Sequence, residues 1–133
     1  MLRVIFEPAV RSKSVESFCQ TVRLLDGEEL VGYARWQCTG ELSNGVAQLL
    51  ELTVAEGRRR QGHGRRLMDA MVGQMQEYFR GRKVTLRRLW VGIEQKRQVI
   101  GRSFLMQFGF NHVGTVQELL KGEDLLIYMR TFN

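Results

Sequence analysis

Apolar residues follow two rhythms along this chain, and each change of rhythm marks a new element. Residues 3–6 make a short apolar start that Pro8 ends or places at a sheet edge, because proline has no N–H to give a ladder. Residues 15–25 and 29–38 flank Asp26-Gly27, the sharpest hairpin signal in the sequence. A two-residue turn at that dipeptide would set Leu25 opposite Glu28 and Cys19 opposite Ala34. Residues 45–54 read as a third strand, closing with LLELTV. The spacing then becomes helical. Leu67, Met68, Met71, Val72, Met75 and Phe79 fall three or four apart on one face of a helix from about Gly62 to Arg80. Arg66, Asp69, Gln74 and Glu77 take its other face, and Gly81 is a stop. Residues 84–93 read as a strand. Residues 95–108 read as a second helix, with Val99, Ile100, Phe104, Leu105 and Phe108 on its apolar side and Gly109-Phe110 as its break. The tail reads as two strands around residues 121–124. Alternation of strand and helix puts a parallel pair in the sheet, and the terminal hairpins make it mixed. The expected class is α/β, one domain over residues 1–133.

Composition narrows this picture. At 44% hydrophobic and 26% charged, the chain has the balance of a folded globular domain. No apolar stretch reaches membrane-spanning length. The first residues, interrupted by Glu7 and Pro8, do not form a signal peptide. A cytoplasmic protein without a membrane partner is the expectation. The hairpin register would leave Cys38 four residues past the partner of Cys19, so two free thiols are expected. Cys19, Cys38, His63 and His112 show no metal-ligand spacing, and no metal is expected.

Charge matters more. The chain carries a formal +6, with 20 basic and 14 acidic residues. Ten residues, GRRRQGHGRR from Gly57 to Arg66, hold five arginines and three glycines. A P-loop would need a lysine and a hydroxyl residue after its second glycine, and neither is present. A dinucleotide fingerprint would need a third glycine where Leu67 stands. What remains is a strand, a basic loop and a helix that opens Gly62-His63-Gly64. The first turn of a helix leaves backbone N–H groups unpaired and carries partial positive charge. A pyrophosphate suits that end where no side chain blocks the backbone.

VAEGRRRQGHG, residues 54–64, resembles the acetyl-CoA loop of the GNAT N-acetyltransferase superfamily, R/Q-x-x-G-x-G/A, with Arg59, Gly62 and Gly64 on the defining positions. The strand before it, the helix after it and the helix-Gly-Phe ending at Gly109-Phe110 are similar as well. The resemblance implies a GNAT-like mixed sheet that splays between the strand ending at Val54 and the strand 84–93, with the first helical region shortened. It implies acetyl-CoA as co-substrate. Pantetheine would pair with Leu52, Thr53 and Val54 as an added strand does. Pyrophosphate would meet the loop Arg59, Arg60, Gln61, Gly62, His63 and Gly64, with Arg65 beside it. Gln98, Gly101 and Phe104 would close the other side.

The implied reaction is direct transfer of acetyl to a primary amine, borne by a protein or a small molecule. A lysine-like amine, pKa near 10.4, is neutral in only about one molecule in ~2,500 at pH 7, so a base is needed. Glu51, on the strand beside the expected thioester, is the first candidate base and Glu94 the second. An ordinary surface or salt-bridged carboxylate is the plainer reading of Glu51. The glutamate some relatives carry earlier on that strand is Gln48 here, and the tyrosine that many use as acid is Leu105. Tyr128 and Ser103 are the stand-ins for that acid, against core packing for the first and a solvated helix face for the second. Activity is therefore expected to be weak, or lost with CoA binding retained. Relatives place helices between the first strand and the hairpin, and residues 9–14 are too few for them. The acceptor side is then open or completed by a second subunit, with a homodimer as one candidate, and an open side favours a bulky acceptor such as a protein. His63 is read as packing beside the loop or facing solvent, and His112 as a surface residue.

Two other readings compete. A non-catalytic acyl-CoA sensor would keep the loop and lose turnover. A basic RNA-binding module would use the runs Arg58–Arg66 and Arg80–Arg88 on phosphates, with Trp36, Trp90 and Tyr33 stacking on bases. Glycines at 62 and 64 serve a small phosphate cradle and are not required by a nucleic-acid patch, so nucleic acid is disfavoured as a partner of the protein.

Overall fold

The computed structural model describes residues 1–7, 10–11, 18–95 and 101–132. In chain order it contains β1 (Leu2–Phe6), β2 (Val10–Arg11), β3 (Phe18–Asp26), β4 (Glu29–Cys38), β5 (Val46–Val54), α1 (His63–Arg80), β6 (Arg88–Glu94), α2 (Arg102–Gln107), β7 (Asn111–Leu120) and β8 (Glu123–Thr131). The strands make one sheet in the order β1-β3-β4-β5-β6-β8-β7, with β2 also on β3. Among the described residues only β5 and β6 run parallel, which is the mixed α/β sheet expected from the element order.

The first hairpin closes one residue later than the dipeptide suggests. Asp26 pairs with Glu29, so Gly27 and Glu28 form the turn. Gly27 takes the first central position at φ +63°, where glycine has no steric penalty. A bulge between Leu24 and Leu25 then shifts the ladder, and Cys19 faces Gln37 rather than Ala34. Cys38 follows Gln37 directly and points to the opposite face of the strand. Both thiols are free, and burial pushes the Cys38 thiol above its ordinary value.

α1 matches the apolar spacing: Leu67, Met68, Met71, Val72, Met75 and Phe79 are all buried. It packs on β3, β4 and β5. Gly32 permits this approach, since a Cβ there would stand 2.5 Å from the Thr53 carbonyl and 3.0 Å from a Leu67 methyl. Trp36 lies against Tyr78 and Phe79 with ring centroids 5.5 and 6.4 Å away. Its Nε1 donates to Gln74 Oε1 at 2.9 Å. Gln74 therefore belongs to the edge of the packed face, not to the solvent side. Each fully buried Leu, Met or Phe on this face contributes roughly 1.5–3 kcal/mol.

The later elements start further along than the sequence pattern suggests. β6 begins at Arg88, not at residue 84, because its first ladder partner on β5 is Val46. Arg87 and Arg88 amides meanwhile bond the Gly45 carbonyl. α2 begins after Gly101, and Gln98, Val99 and Ile100 lie outside the described residues. Leu105 is fully buried, and Phe104 and Phe108 stack 5.0 Å apart.

The sheet parts in the middle. β5 pairs with β6 only through Val46–Arg88, Ala47–Leu89 and Gln48–Trp90. Beyond that, the same strand keeps pairing with β4 as far as Val54–Gly32, while β6 follows β8 as far as Glu94–Leu125. A bulge lies at the point of parting: Trp36 pairs with Leu49 but Arg35 with Glu51, leaving Leu50 as the extra residue. A bulge bends its strand and adds twist, which carries the end of β5 away from β6.

Candidate functional site

At the mouth of this parting is a cleft of about 1110 Å³. Strand β5 supplies Leu52, Thr53 and Val54; the following loop supplies Arg58, Arg59 and Arg60. The start of α1 supplies Gly62, His63, Gly64 and Arg65, and α2 with its cap supplies Gly101, Ser103, Phe104 and Gln107. Eleven of the thirteen positions that the family resemblance implies for cofactor contact therefore meet in one place. Of the other two, Gln98 is outside the described residues. Gln61 is exposed and does not line the cleft, and its Oε1 lies 3.1 Å from His63 Nε2. An amide oxygen only accepts, so Nε2 carries the proton in that bond.

The backbone of the loop turns sharply at three positions. Gly57, Arg60 and Gly62 have φ of +88°, +63° and +79°. Arginine in that region costs on the order of 1–2 kcal/mol, a strain that clusters at functional sites. Gly62 caps α1 without a side-chain hydrogen bond. The first helical bond runs from the Arg66 amide to the Gly62 carbonyl, so the amides before it have no acceptor within the helix. At Gly62 a Cβ would meet no atom within 4 Å, whereas at Gly64 it would stand 3.2 Å from the Phe104 ring. The first glycine leaves space over the helix end. The second lets α2 close against α1, an approach also bridged by Arg65 over the Phe108 ring at 5.3 Å.

The arginines divide by role. Arg58 is an internal brace, bonded to Asp26 at 3.0 Å and Glu29 at 2.8 Å. Its hydrogen bond, followed by the chain's amino terminus, holds the Asp26 carboxyl below its ordinary value. Arg59 donates from Nε to the Val54 carbonyl at 3.3 Å, tying the loop to the end of β5. Arg60 and Arg65 are exposed and form no ion pair among the described residues. His63 is 8% exposed, so it packs beside the loop rather than facing solvent.

The three catalytic candidates are not gathered together. Glu51 pairs with Arg35, between two buried pairs, Trp36–Leu49 and Ala34–Leu52. It therefore points to the sheet face away from α1. It is half-buried, and its Oε2 is buried without a hydrogen-bond partner. Glu94 ends β6 on that same face, next after buried Ile93. Tyr128 pairs with Val91 on the core face, 6% exposed, its ring 5.4 Å from that of His112. It belongs to the core, as its plainer reading had it. Ser103 lines the cleft and is exposed.

Sequence reasoning gave Arg58 and Gln107 no place in this site. Gln107 was within reach, since it stands four positions after Ser103 on one helix face. Arg58 was not, because its partners are 32 and 29 residues away along the chain. Among the described residues no three His, Cys, Asp or Glu gather as a metal site, and no helix is long and apolar enough to cross a membrane.

The model of the acetyltransferase (GNAT) family matches residues 4–110. No curated protein matches the chain. Many solved structures do. A GNAT-family protein from Desulfovibrio desulfuricans is 24% identical with a TM-score of 0.71, over 85% of this chain and 68% of that one. An IAA acetyltransferase from Bacillus cereus is 15% identical with a TM-score of 0.72, over 99% and 100%. The PaiA N-acetyltransferase from Thermoplasma acidophilum, solved in complex with coenzyme A, is 17% identical with a TM-score of 0.65, over 86% and 61%. These structures share the fold, and the family model spans most of the sequence: the chain belongs to the GNAT acetyltransferase family.

Proposed function

We propose that this protein moves an acetyl group from acetyl-CoA to a primary amine. The observation that carries the proposal is the coincidence, in one cleft, of an uncapped helix start behind a glycine–arginine loop and the unpaired edge of β5. The residues present fit the co-substrate. Amides at Gly62–Arg65, with Arg60 and Arg65, suit its diphosphate. The free edge of Leu52–Val54 suits the amide-bearing pantetheine arm. Acetyl-CoA would supply an activated thioester: a C–N bond forms, the C–S bond breaks and the thiolate leaves.

Glu51 is the base this reading favours. A buried carboxylate oxygen without a partner is costly, and an incoming ammonium group would satisfy it. A proton taken there frees the amine lone pair. Leu105 has no proton to give, so the thiolate departs unprotonated or is met by Ser103 at the cleft wall. A thiol pKa of about 8.5 makes that tolerable. The acceptor is proposed to be bulky, a protein amine in preference to a small molecule.

Thermal unfolding with acetyl-CoA and with bare CoA tests the cleft. At about 100 times Kd a ligand adds about 2.7 kcal/mol, or several degrees. The expected shift disappears in Gly62→Glu. No shift in the parent would end this reading. A shift without thiol release on any amine would leave an acyl-CoA sensor, the reading that Leu105 favours.

A further inference from the structure

The two arginine runs of the sequence lie at opposite ends of the molecule. α1 begins at the cleft with His63 and ends at Arg80. At about 1.5 Å per residue its 18 residues span about 27 Å. Arg80, Arg82 and Lys83 therefore stand at the far end, where the chain returns to β6, together with Arg87 and Arg88. Arg130 stands at the same end on β8, paired across from buried Leu89 and so on the α1 face of the sheet, while Arg88 points to the other face.

Five of these six cations are exposed, and Arg130 is half-buried. None forms an ion pair among the described residues, where the four pairs involve only Met1, Arg23 and Arg58 as cations. Glu41 and Glu77, nearby in sequence, pair with none of them. Four of the guanidinium groups already have protein contacts, Arg88 through a weak bond from Nη1 to Met129 Sδ at 3.8 Å. Arg82 lies over the Tyr78 ring, 3.6 Å from its centroid, and donates to the Tyr78 carbonyl at 3.0 Å. Arg130 lies over Phe132 at 4.5 Å. Arg87 donates to the Asn44 carbonyl at 3.0 Å. Groups held in this way lose little further freedom when a partner arrives.

A guanidinium fork matches a phosphate, and a guanidinium plane can take an unpaired base on its open face. The chemistry of the patch also discriminates between anionic surfaces. The large exposed apolar side chains are Met1, Ile5, Phe6, Leu30, Leu50, Met106 and others on β7, and none is in this cluster. A lipid surface is met by cations interleaved with inserted apolar groups, and those are missing here.

We propose that this end of the molecule docks single-stranded nucleic acid, with phosphates on the free cations and bases on the Arg82 and Arg130 planes. The proposal stands apart from acetyl transfer. It also removes the opposition between cofactor and nucleic acid, since each has its own end of the molecule.

Fluorescence anisotropy of the full chain with a labelled single-stranded RNA of about 12 nucleotides tests it. Affinity should fall steeply between about 50 and about 200 mM KCl, with a log–log slope near −0.7 per phosphate contacted. Arg80→Gln/Lys83→Gln/Arg88→Gln should lose at least about tenfold in affinity and about 2 units of slope. Its unfolding midpoint and its acetyl-CoA shift should equal the parent's. Arg80→Gln/Lys83→Gln, at two side chains without structural bonds, is the fallback if the triple variant is unstable. Arg82→Lys keeps the charge and loses the plane, and should cost about fivefold or more. Arg60→Glu/Arg65→Glu, at the cleft, should bind RNA nearly as the parent does. The proposal is overturned by undetectable RNA binding at low salt, by full affinity in the triple variant or in Arg82→Lys, or by loss on the cleft variant instead. Tighter binding to phosphatidylglycerol vesicles than to RNA would overturn it too.

Discussion

At Gly62 the backbone turns through φ +79° just before a helix whose first amides have no partner inside it. That conformation and the empty space above it are two separate demands, and glycine meets both. The motif around it was legible in the sequence because it is local: loop, glycines and helix start are neighbours along the chain. Glu51 was legible only as a carboxylate on the right strand. Its orphaned oxygen depends on a bulge at Leu50 and on cross-strand pairing with Arg35, neither of which leaves a mark in the sequence. Glu51→Gln should lower kcat by about 10²- to 10⁴-fold, leave the KM for acetyl-CoA nearly unchanged, and not lower the unfolding midpoint. Steady-state kinetics with a saturating amine, beside a melt, check this; a variant of equal kcat would remove Glu51 as base.

Among the elements, α1 shows how far periodicity carries. All six of its predicted apolar positions are buried, because 3.6-residue spacing is a property of the helix alone. Phe79, fully buried against Trp36 and Tyr78, should cost about 3–5 kcal/mol as Phe79→Ala, measured by denaturant melts. Ladder registers were less legible. The first hairpin closes on Gly27-Glu28, which moves Cys19 by two partners, and a later bulge moves it by one more, since turn geometry and strand twist are settled between strands. Arg58 braces this hairpin to the glycine–arginine loop through Asp26 and Glu29. The Asp26 carboxyl is held below its ordinary value near 3.8. Its contribution is therefore complete above that pH and is lost as pH falls through the lower, folded value. Arg58→Ala should be less stable than the parent at neutral pH. The gap should narrow in melts taken at progressively lower pH below about 4, and a gap that is constant with pH would put the brace in doubt.

For the whole molecule, the order of strands and helices was legible from one sequence, and the parting of the sheet came with the family resemblance. The separation of the two basic regions was not, because charge runs carry no direction until a helix sets one at each of its ends. The parting itself has a consequence for how the molecule comes apart. Three residue pairs are all that join β5 to β6, so the sheet has a seam between two larger ladders. Such a boundary is where cooperative units separate. Native-state hydrogen exchange should therefore show β6, β7 and β8 opening together at lower free energy than β3, β4 and α1, with Leu89 and Trp90 following the first group. Acetyl-CoA, if bound in the cleft as proposed, would lie across the seam and should raise the protection of both groups toward a single value. Uniform exchange in the ligand-free protein would mean that the core shared across the seam already binds the halves into one unit. On this account a small molecule completes the mechanical continuity of the protein that it serves.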